Sequence, residues 1–136
     1  MLQKQIITTE ICPSIAQTLL KNDAIFVDVR ELTEVELLSF KVPQLIILPL
    51  SELENRYFEL PQDQLLVIVC NNGSRSLKAT NFLINKGYNA GQVVCMKHGL
   101  IKWVQKGFPT VGDASFIPGK KNFSCKAKID RELATL

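Results

Sequence analysis

Residues 65–76 read Leu-Leu-Val-Ile-Val-Cys-Asn-Asn-Gly-Ser-Arg-Ser. The aliphatic run is bounded before by Pro61-Gln62-Asp63 and after by Asn71-Asn72-Gly73. A short, unbroken β-branched and leucine run between turn residues predicts a strand buried on both faces of a parallel sheet. Cys70 then stands at the carboxyl end of that strand, where open parallel sheets bind their ligands. Beyond it, Asn71, Asn72, Gly73 and Ser74 are short residues that tolerate turn conformations, and Arg75 follows five positions after the cysteine. The pattern predicts a loop whose backbone N–H groups turn inward around a sulfur and lead into a helix N-terminus, a cradle for negative charge.

Working outward, strands and helices alternate. Gln5–Ile7 is expected as a first strand, with Thr9 as a helix cap and Pro13 early in a helix reaching about Asn22. Ile25–Val29 is a second strand, its apolar run interrupted at the end by Asp28 and Arg30. Glu31–Ser39 reads as a short acidic helix, Leu45–Leu48 as a third strand, and Ser51 to about Phe58 as a capped helix. Arg75 to about Lys86 is expected as a helix closed by Gly87, Val93–Met96 as a fifth strand, and Gly99–Lys106 as a last helix ended by Gly107 and Pro109. Alternating strands and helices of this length predict an α/β fold with helices on both faces of a parallel sheet.

Composition bounds the functions. At 136 residues the chain has the size of one domain and buries about two-thirds of its unfolded surface, so no disulfide framework is needed. Its four cysteines, Cys12, Cys70, Cys95 and Cys125, include no Cys-x-x-Cys pair, and His98 is the single histidine. A zinc site is not expected. Residues 1–11 lack the apolar core of a signal peptide, and the longest apolar stretch, near Leu45–Leu50, is too short to span a bilayer. A cytoplasmic protein with reduced thiols is therefore expected. The net charge of +3 belongs to residues 119–136, with five basic and two acidic side chains, which leaves 11 of each sign before them. The domain proper is neutral and gives no warrant for nucleic-acid binding. A domain over residues 1–111 and a basic tail over 112–136, ending in a short helix at Ile129–Leu136, are expected.

Several spaced motifs, in order, carry a family resemblance. Asp28-Val29-Arg30-Glu31, Leu48-Pro49-Leu50, the loop from Cys70 to Ser76, Lys86-Gly87-Tyr88, and Gly99-Leu100-Ile101-Lys102-Trp103 followed by Gly107-Phe108-Pro109 are similar to single-domain rhodanese-like sulfurtransferases over roughly residues 5–110. The resemblance implies a three-layer α/β/α domain with a five-stranded, mainly parallel sheet. It also implies that Cys70 is the catalytic nucleophile, taking a sulfane sulfur from a donor such as thiosulfate, holding it as a persulfide, and passing it to a nucleophile such as cyanide or a thiol. Asn71, Asn72, Gly73, Ser74 and Arg75 form the substrate-binding loop, with Asp28 and Arg30 in support. No metal or organic cofactor is needed. Expected partners are a small sulfur donor, a thiol or cyanide acceptor and a sulfur-relay protein, with neither nucleic acid nor membrane.

Two turns depart from the family. Residues 39–45, Ser-Phe-Lys-Val-Pro-Gln-Leu, stand where a Gly-His-Ile-Pro-Gly-Ala-like stretch is usual, and His98-Gly99 replaces a pair of glycines. Both turns bear on substrate access and donor identity. An alternative reading is therefore a sulfur carrier or interaction module, loaded by a partner and weakly active with thiosulfate, because a neutral loop with one arginine attracts a dianion poorly. A phosphatase or arsenate reductase is disfavoured by spacing: phosphatases of related fold place five residues between cysteine and arginine, whereas this chain has four and puts Ser76 at the phosphatase position. Arg75 is balanced between gripping a ligand and bracing the loop. Asp28 with Arg30 reads as a structural pair tying the second strand to the loop, His98 as a solvated turn residue, and Cys12 and Cys95 as inert thiols in apolar surroundings. Cys125, in the tail, reads first as an incidental exposed thiol, the alternative being a thiol that accepts sulfur from Cys70 or forms a disulfide with it.

Overall fold

The computed structural model describes residues 8–115 and Ile117. Strand β1 (Thr9–Ile11) leads into α1 (Pro13–Leu19) and a 3₁₀ turn at Leu20–Asn22. Then follow β2 (Ile25–Asp28), α2 (Leu32–Leu37), β3 (Leu38–Phe40), β4 (Leu45–Ile47), α3 (Leu50–Arg56), β5 (Leu66–Val69), α4 (Ser74–Asn85), β6 (Val93–Met96), α5 (Gly99–Gln105) and β7 (Thr110–Gly112). The main sheet has the order β1-β6-β5-β2-β4, with every pairing parallel.

Strand alternation divides the core in two, because successive side chains point to opposite faces. Ile25, Val27, Leu66, Ile68, Val93 and Cys95 pack with Leu53 of α3 and Ala79 and Leu83 of α4. Phe26, Val67, Val69, Val94 and Met96 pack on the other face with Ala16 of α1 and Leu100, Trp103 and Val104 of α5. The result is the expected three-layer α/β/α arrangement. Trp103 anchors the second face, with ring centroids 5.3 Å from Phe26, 5.4 Å from Phe40 and 5.0 Å from Phe108, all edge-on, and its indole N–H donating to the Pro109 carbonyl at 2.8 Å.

Three local readings change. The edge strand is Thr9–Ile11, paired with Val94–Met96 in β6, so Thr9 is a strand residue and not a helix cap; Gln5–Ile7 lie outside the described residues. Cys12 caps α1 without a side-chain bond, and Pro13, which has no N–H to leave unpaired, starts the helix. The acidic helix stops at Leu37. Leu38 and Phe40 are buried and Ser39 is not, a two-residue period, and this segment pairs antiparallel with Thr110–Gly112 in a separate two-stranded sheet. Ile117, beyond that sheet, is buried in the second core. The expected helix at 129–136 and Cys125 lie outside the described residues. No described helix is long and apolar enough to cross a membrane.

Candidate functional site

The central strands set up the site. Asp28 at the end of β2 is in register with Val69 at the end of β5, and the Val29 N–H donates to the Val69 carbonyl at 3.0 Å, so the loops leaving both strands begin side by side. Cys70 is fully buried at that point. Its Sγ accepts hydrogen bonds from the backbone N–H of Gly73 at 3.1 Å and of Ser76 at 3.3 Å, and its thiol lies 3.5 Å from the Ser76 hydroxyl. These are the inward-turned amides that the loop composition predicts, and they are the donors an anionic sulfur requires. Ser76 was not singled out from the sequence as a site residue. It is wholly buried, donates its hydroxyl to the Gly73 carbonyl at 3.1 Å, and its own carbonyl accepts from Thr80 at 2.8 Å.

Two glycines let the loop close this tightly. Gly73 has φ +101, and a Cβ there would lie 3.0 Å from the His98 nitrogen, so it supplies both the left-handed turn and the room. Gly99 has φ +59, and a Cβ there would stand 2.3 Å from the carbonyl carbon and oxygen of Asn71. That contact lets the first turn of α5 reach the loop: Leu100 donates to the Cys70 carbonyl at 2.8 Å and Ile101 to the Asn71 carbonyl at 3.1 Å. At the loop's tip, Asn72 Oδ1 accepts from the Ser74 N–H and hydroxyl at 3.0 and 2.9 Å, an Asx turn that leads into α4.

The charged residues form a chain beside the loop. Arg30 and Asp28 make a buried fork-to-fork pair, with Nη2 to Oδ2 at 2.9 Å and Nε to Oδ1 at 3.1 Å; Arg30 also donates to the Leu38 carbonyl at 2.7 Å and to Asn71 Oδ1 at 3.3 Å. The pair thus ties the second strand to the loop through Asn71. Asn71 Nδ2 in turn donates to Glu34 Oε2 at 3.1 Å. Glu34 holds Arg75 in a second fork, Nη1 to Oε1 at 2.7 Å and Nη2 to Oε2 at 2.9 Å, and the Arg75 guanidinium pulls the Glu34 carboxyl down to about 2. Glu34 also accepts from the Glu31 N–H at 2.9 Å, closing the capping box of α2. Both terminal nitrogens of Arg75 are thus engaged by Glu34. Glu34 was missed: an acidic residue on an acidic helix, 41 positions before its partner, carries no local signal of the contact.

The remaining thiols differ. Cys95 is buried in the sheet, and burial pushes its thiol up to about 11. Cys12 is half-buried at the start of α1, and hydrogen bonding from the Ile15 amide lowers its pKa. Lys97 and His98 are exposed, and His98 adopts φ +69 in the turn that touches Gly73. Among the described residues, no group of three or more histidine, cysteine or carboxylate side chains is placed to hold a metal ion.

Known proteins share this frame. A sulfurtransferase of Allochromatium vinosum is 35% identical over 89 residues, 65% of this chain and 79% of its own. A rhodanese-related protein of Thermoplasma volcanium superposes with TM-score 0.68 at 27% identity, covering 77% of this chain and 99% of that one. A thiosulfate sulfurtransferase of Pseudomonas aeruginosa superposes with TM-score 0.65 at 27% identity over 77% of this chain, which spans only 20% of that larger protein. The model of the rhodanese-like domain matches residues 13–106, from the first helix to the end of α5, and so includes the whole Cys70 loop. By that match, this chain belongs to the rhodanese-like family.

Proposed function

We propose that this protein is a sulfurtransferase in which Cys70 carries sulfane sulfur as a persulfide between a donor and a thiophilic acceptor such as cyanide or a thiol. Membership of the rhodanese-like family and the likeness to a sulfurtransferase support sulfur transfer in general. The observation that carries the reading to Cys70 is the convergence of the Gly73 and Ser76 amides on its Sγ at 3.1 and 3.3 Å. In the loading step the Cys70 thiolate attacks the outer sulfur of the donor; the new S–S bond forms as the donor's bond to that sulfur breaks, and its electron pair leaves with the donor remnant. In the second step the acceptor attacks the same outer sulfur and Cys70 leaves as thiolate. The Gly73 and Ser76 amides hold the charge that moves between Sγ and the outer sulfur.

Spacing separates this chemistry from phosphoryl transfer, which needs an arginine fork aimed at three oxygens. Here the loop arginine is spent on Glu34. That same pair favours a second reading, a carrier loaded by a sulfur-relay partner that reacts poorly with thiosulfate. Weighing the intact protein after incubation with thiosulfate, and with a perthiol, tests both readings. Gain of one sulfur that cyanide removes and Cys70→Ala abolishes supports sulfur transfer. Loading from the perthiol alone selects the carrier. Cys70-dependent phosphate release from an aryl phosphate, with no sulfur gained, would sink both.

A further inference from the structure

We propose that Glu34 sets the donor class of this site: by occupying both terminal nitrogens of Arg75 it withholds the loop's arginine from oxyanions and directs Cys70 to the perthiol of a thiol, R–S–SH, in preference to thiosulfate. The inference rests on the persulfide reading above and names its donor.

The charge around the loop is what decides it. Arg75 gives Nη1 and Nη2 to the two Glu34 oxygens at 2.7 and 2.9 Å. Glu34 is itself held from two further sides, by the Glu31 amide at 2.9 Å and by Asn71 Nδ2 at 3.1 Å, so it does not swing away to make room for an incoming anion. Arg30 is matched in the same way by Asp28. Beside Cys70, two guanidinium charges therefore meet two carboxylates, and the loop residues Asn71, Asn72, Gly73 and Ser74 are uncharged. Lys97 and His98 adjoin Gly73 but are exposed, where water and salt screen their pull on an anion. What faces the sulfur is a pair of backbone amides and one hydroxyl.

A dianion entering such a site gives up hydration and meets, among the described residues, arginines already paired with carboxylates. A perthiol carries at most one negative charge and gives up less. Its step balances with no further reactant: Cys70–S⁻ and R–S–SH give Cys70–S–SH and R–S⁻, one S–S bond forming as another breaks. The thiosulfate step, Cys70–S⁻ and S–SO₃²⁻ giving Cys70–S–S⁻ and SO₃²⁻, balances equally well but brings two negative charges to a loop whose two described arginines are both paired with carboxylates.

The test compares initial rates of Cys70 sulfur loading, read by intact mass, from thiosulfate, from the perthiol of 2-mercaptoethanol and from persulfidated serum albumin. The wild-type protein loads faster from a perthiol than from thiosulfate at equal concentration, and the faster of the two perthiols tells a small-molecule source from a protein-borne one. In Glu34→Gln the ratio of thiosulfate to perthiol loading rises by about fivefold, the scale of one partly exposed charge contact. Glu34→Asp, which keeps the carboxylate, rises less, and adding Arg75→Gln to Glu34→Gln removes the gain. A general loss of structure lowers both rates and cannot produce that ratio. The proposal is overturned if wild-type loading is faster from thiosulfate, or if the ratio in Glu34→Gln is unchanged or lower. Loading from no donor instead brings down the persulfide reading, and this proposal with it.

Discussion

Two arginine–carboxylate forks flank the Cys70 loop, and they differ in depth. Asp28–Arg30 is sealed, with 0% and 1% of the side chains exposed; Glu34–Arg75 lies at the rim, with 31% and 29% exposed. Both are two-point pairs, Asp28–Arg30 side-on through Nε and Nη2 and Glu34–Arg75 end-on through Nη1 and Nη2, and their environments show what each contributes. A buried pair has lost its hydration, and its attraction offsets that loss only while both partners are present, so it fixes position more than it adds stability. A rim pair keeps much of its water and contributes little net energy. The deep pair therefore holds the end of β2 to the loop, while the rim pair is free to adjust the loop's charge.

The largest effect that separates them is the loss of one buried partner. Arg30→Met leaves the Asp28 charge uncompensated, with only the backbone N–H of residue 30 still on it, and takes the guanidinium donor from the Leu38 carbonyl and Asn71 Oδ1. Urea unfolding is expected to show a loss of about 3–5 kcal/mol. A loss below about 1 kcal/mol would place the two pairs in one class and remove the distinction.

Next in size is Gly99→Ala. Its methyl would stand 2.3 Å from the Asn71 backbone, closer than real contacts allow, at a φ of +59 that alanine adopts poorly. Because the neighbour is backbone and not a flexible side chain, the loop itself must shift. We expect about 2–3 kcal/mol of destabilisation, together with slower sulfur loading of Cys70, since the bonds from Leu100 and Ile101 set the start of the loop. Wild-type loading in this variant would show that α5 does not position the cysteine.

The same contrast explains what was legible in the sequence. The loop was readable because its parts are adjacent: the strand Leu66–Val69, Cys70 and the amides of Gly73 and Ser76 lie within eleven residues. Asp28 and Arg30, two residues apart, were readable as a pair for the same reason. Glu34 was not, because its bond to Arg75 depends on where α2 lands against α4. Nor was the β3–β7 pairing, since Leu37-Leu38-Ser39-Phe40 suits the end of a helix as well as a short strand, and only the distant Thr110–Gly112 edge decides between them. The position of β1 was uncertain for a related reason: a three-residue edge strand takes its register from β6 more than from its own residues.

The smallest effect is the most specific to the rim pair. Glu34 has its carboxyl lowered to about 2 by Arg75, against 4.5 as an ordinary glutamate, so the folded protein holds the ionised form more firmly than the unfolded chain does. The stability this contributes is complete above about pH 4.5 and fades as pH falls toward 2, where the folded carboxyl also takes up its proton. Exposure and salt screening keep it under about 1 kcal/mol. Comparing wild type with Glu34→Gln in urea between pH 6 and pH 2.5 should therefore show a small gap near neutrality that narrows through the acid range and shrinks in high salt. Arg30→Met, tested alongside, should show a gap at pH 6 that high salt leaves largely in place, because its charges are shielded by the fold and not by water. If the Glu34 gap instead persists undiminished to pH 2.5, the carboxylate's charge is not what holds Arg75, and masking of that arginine loses its physical basis.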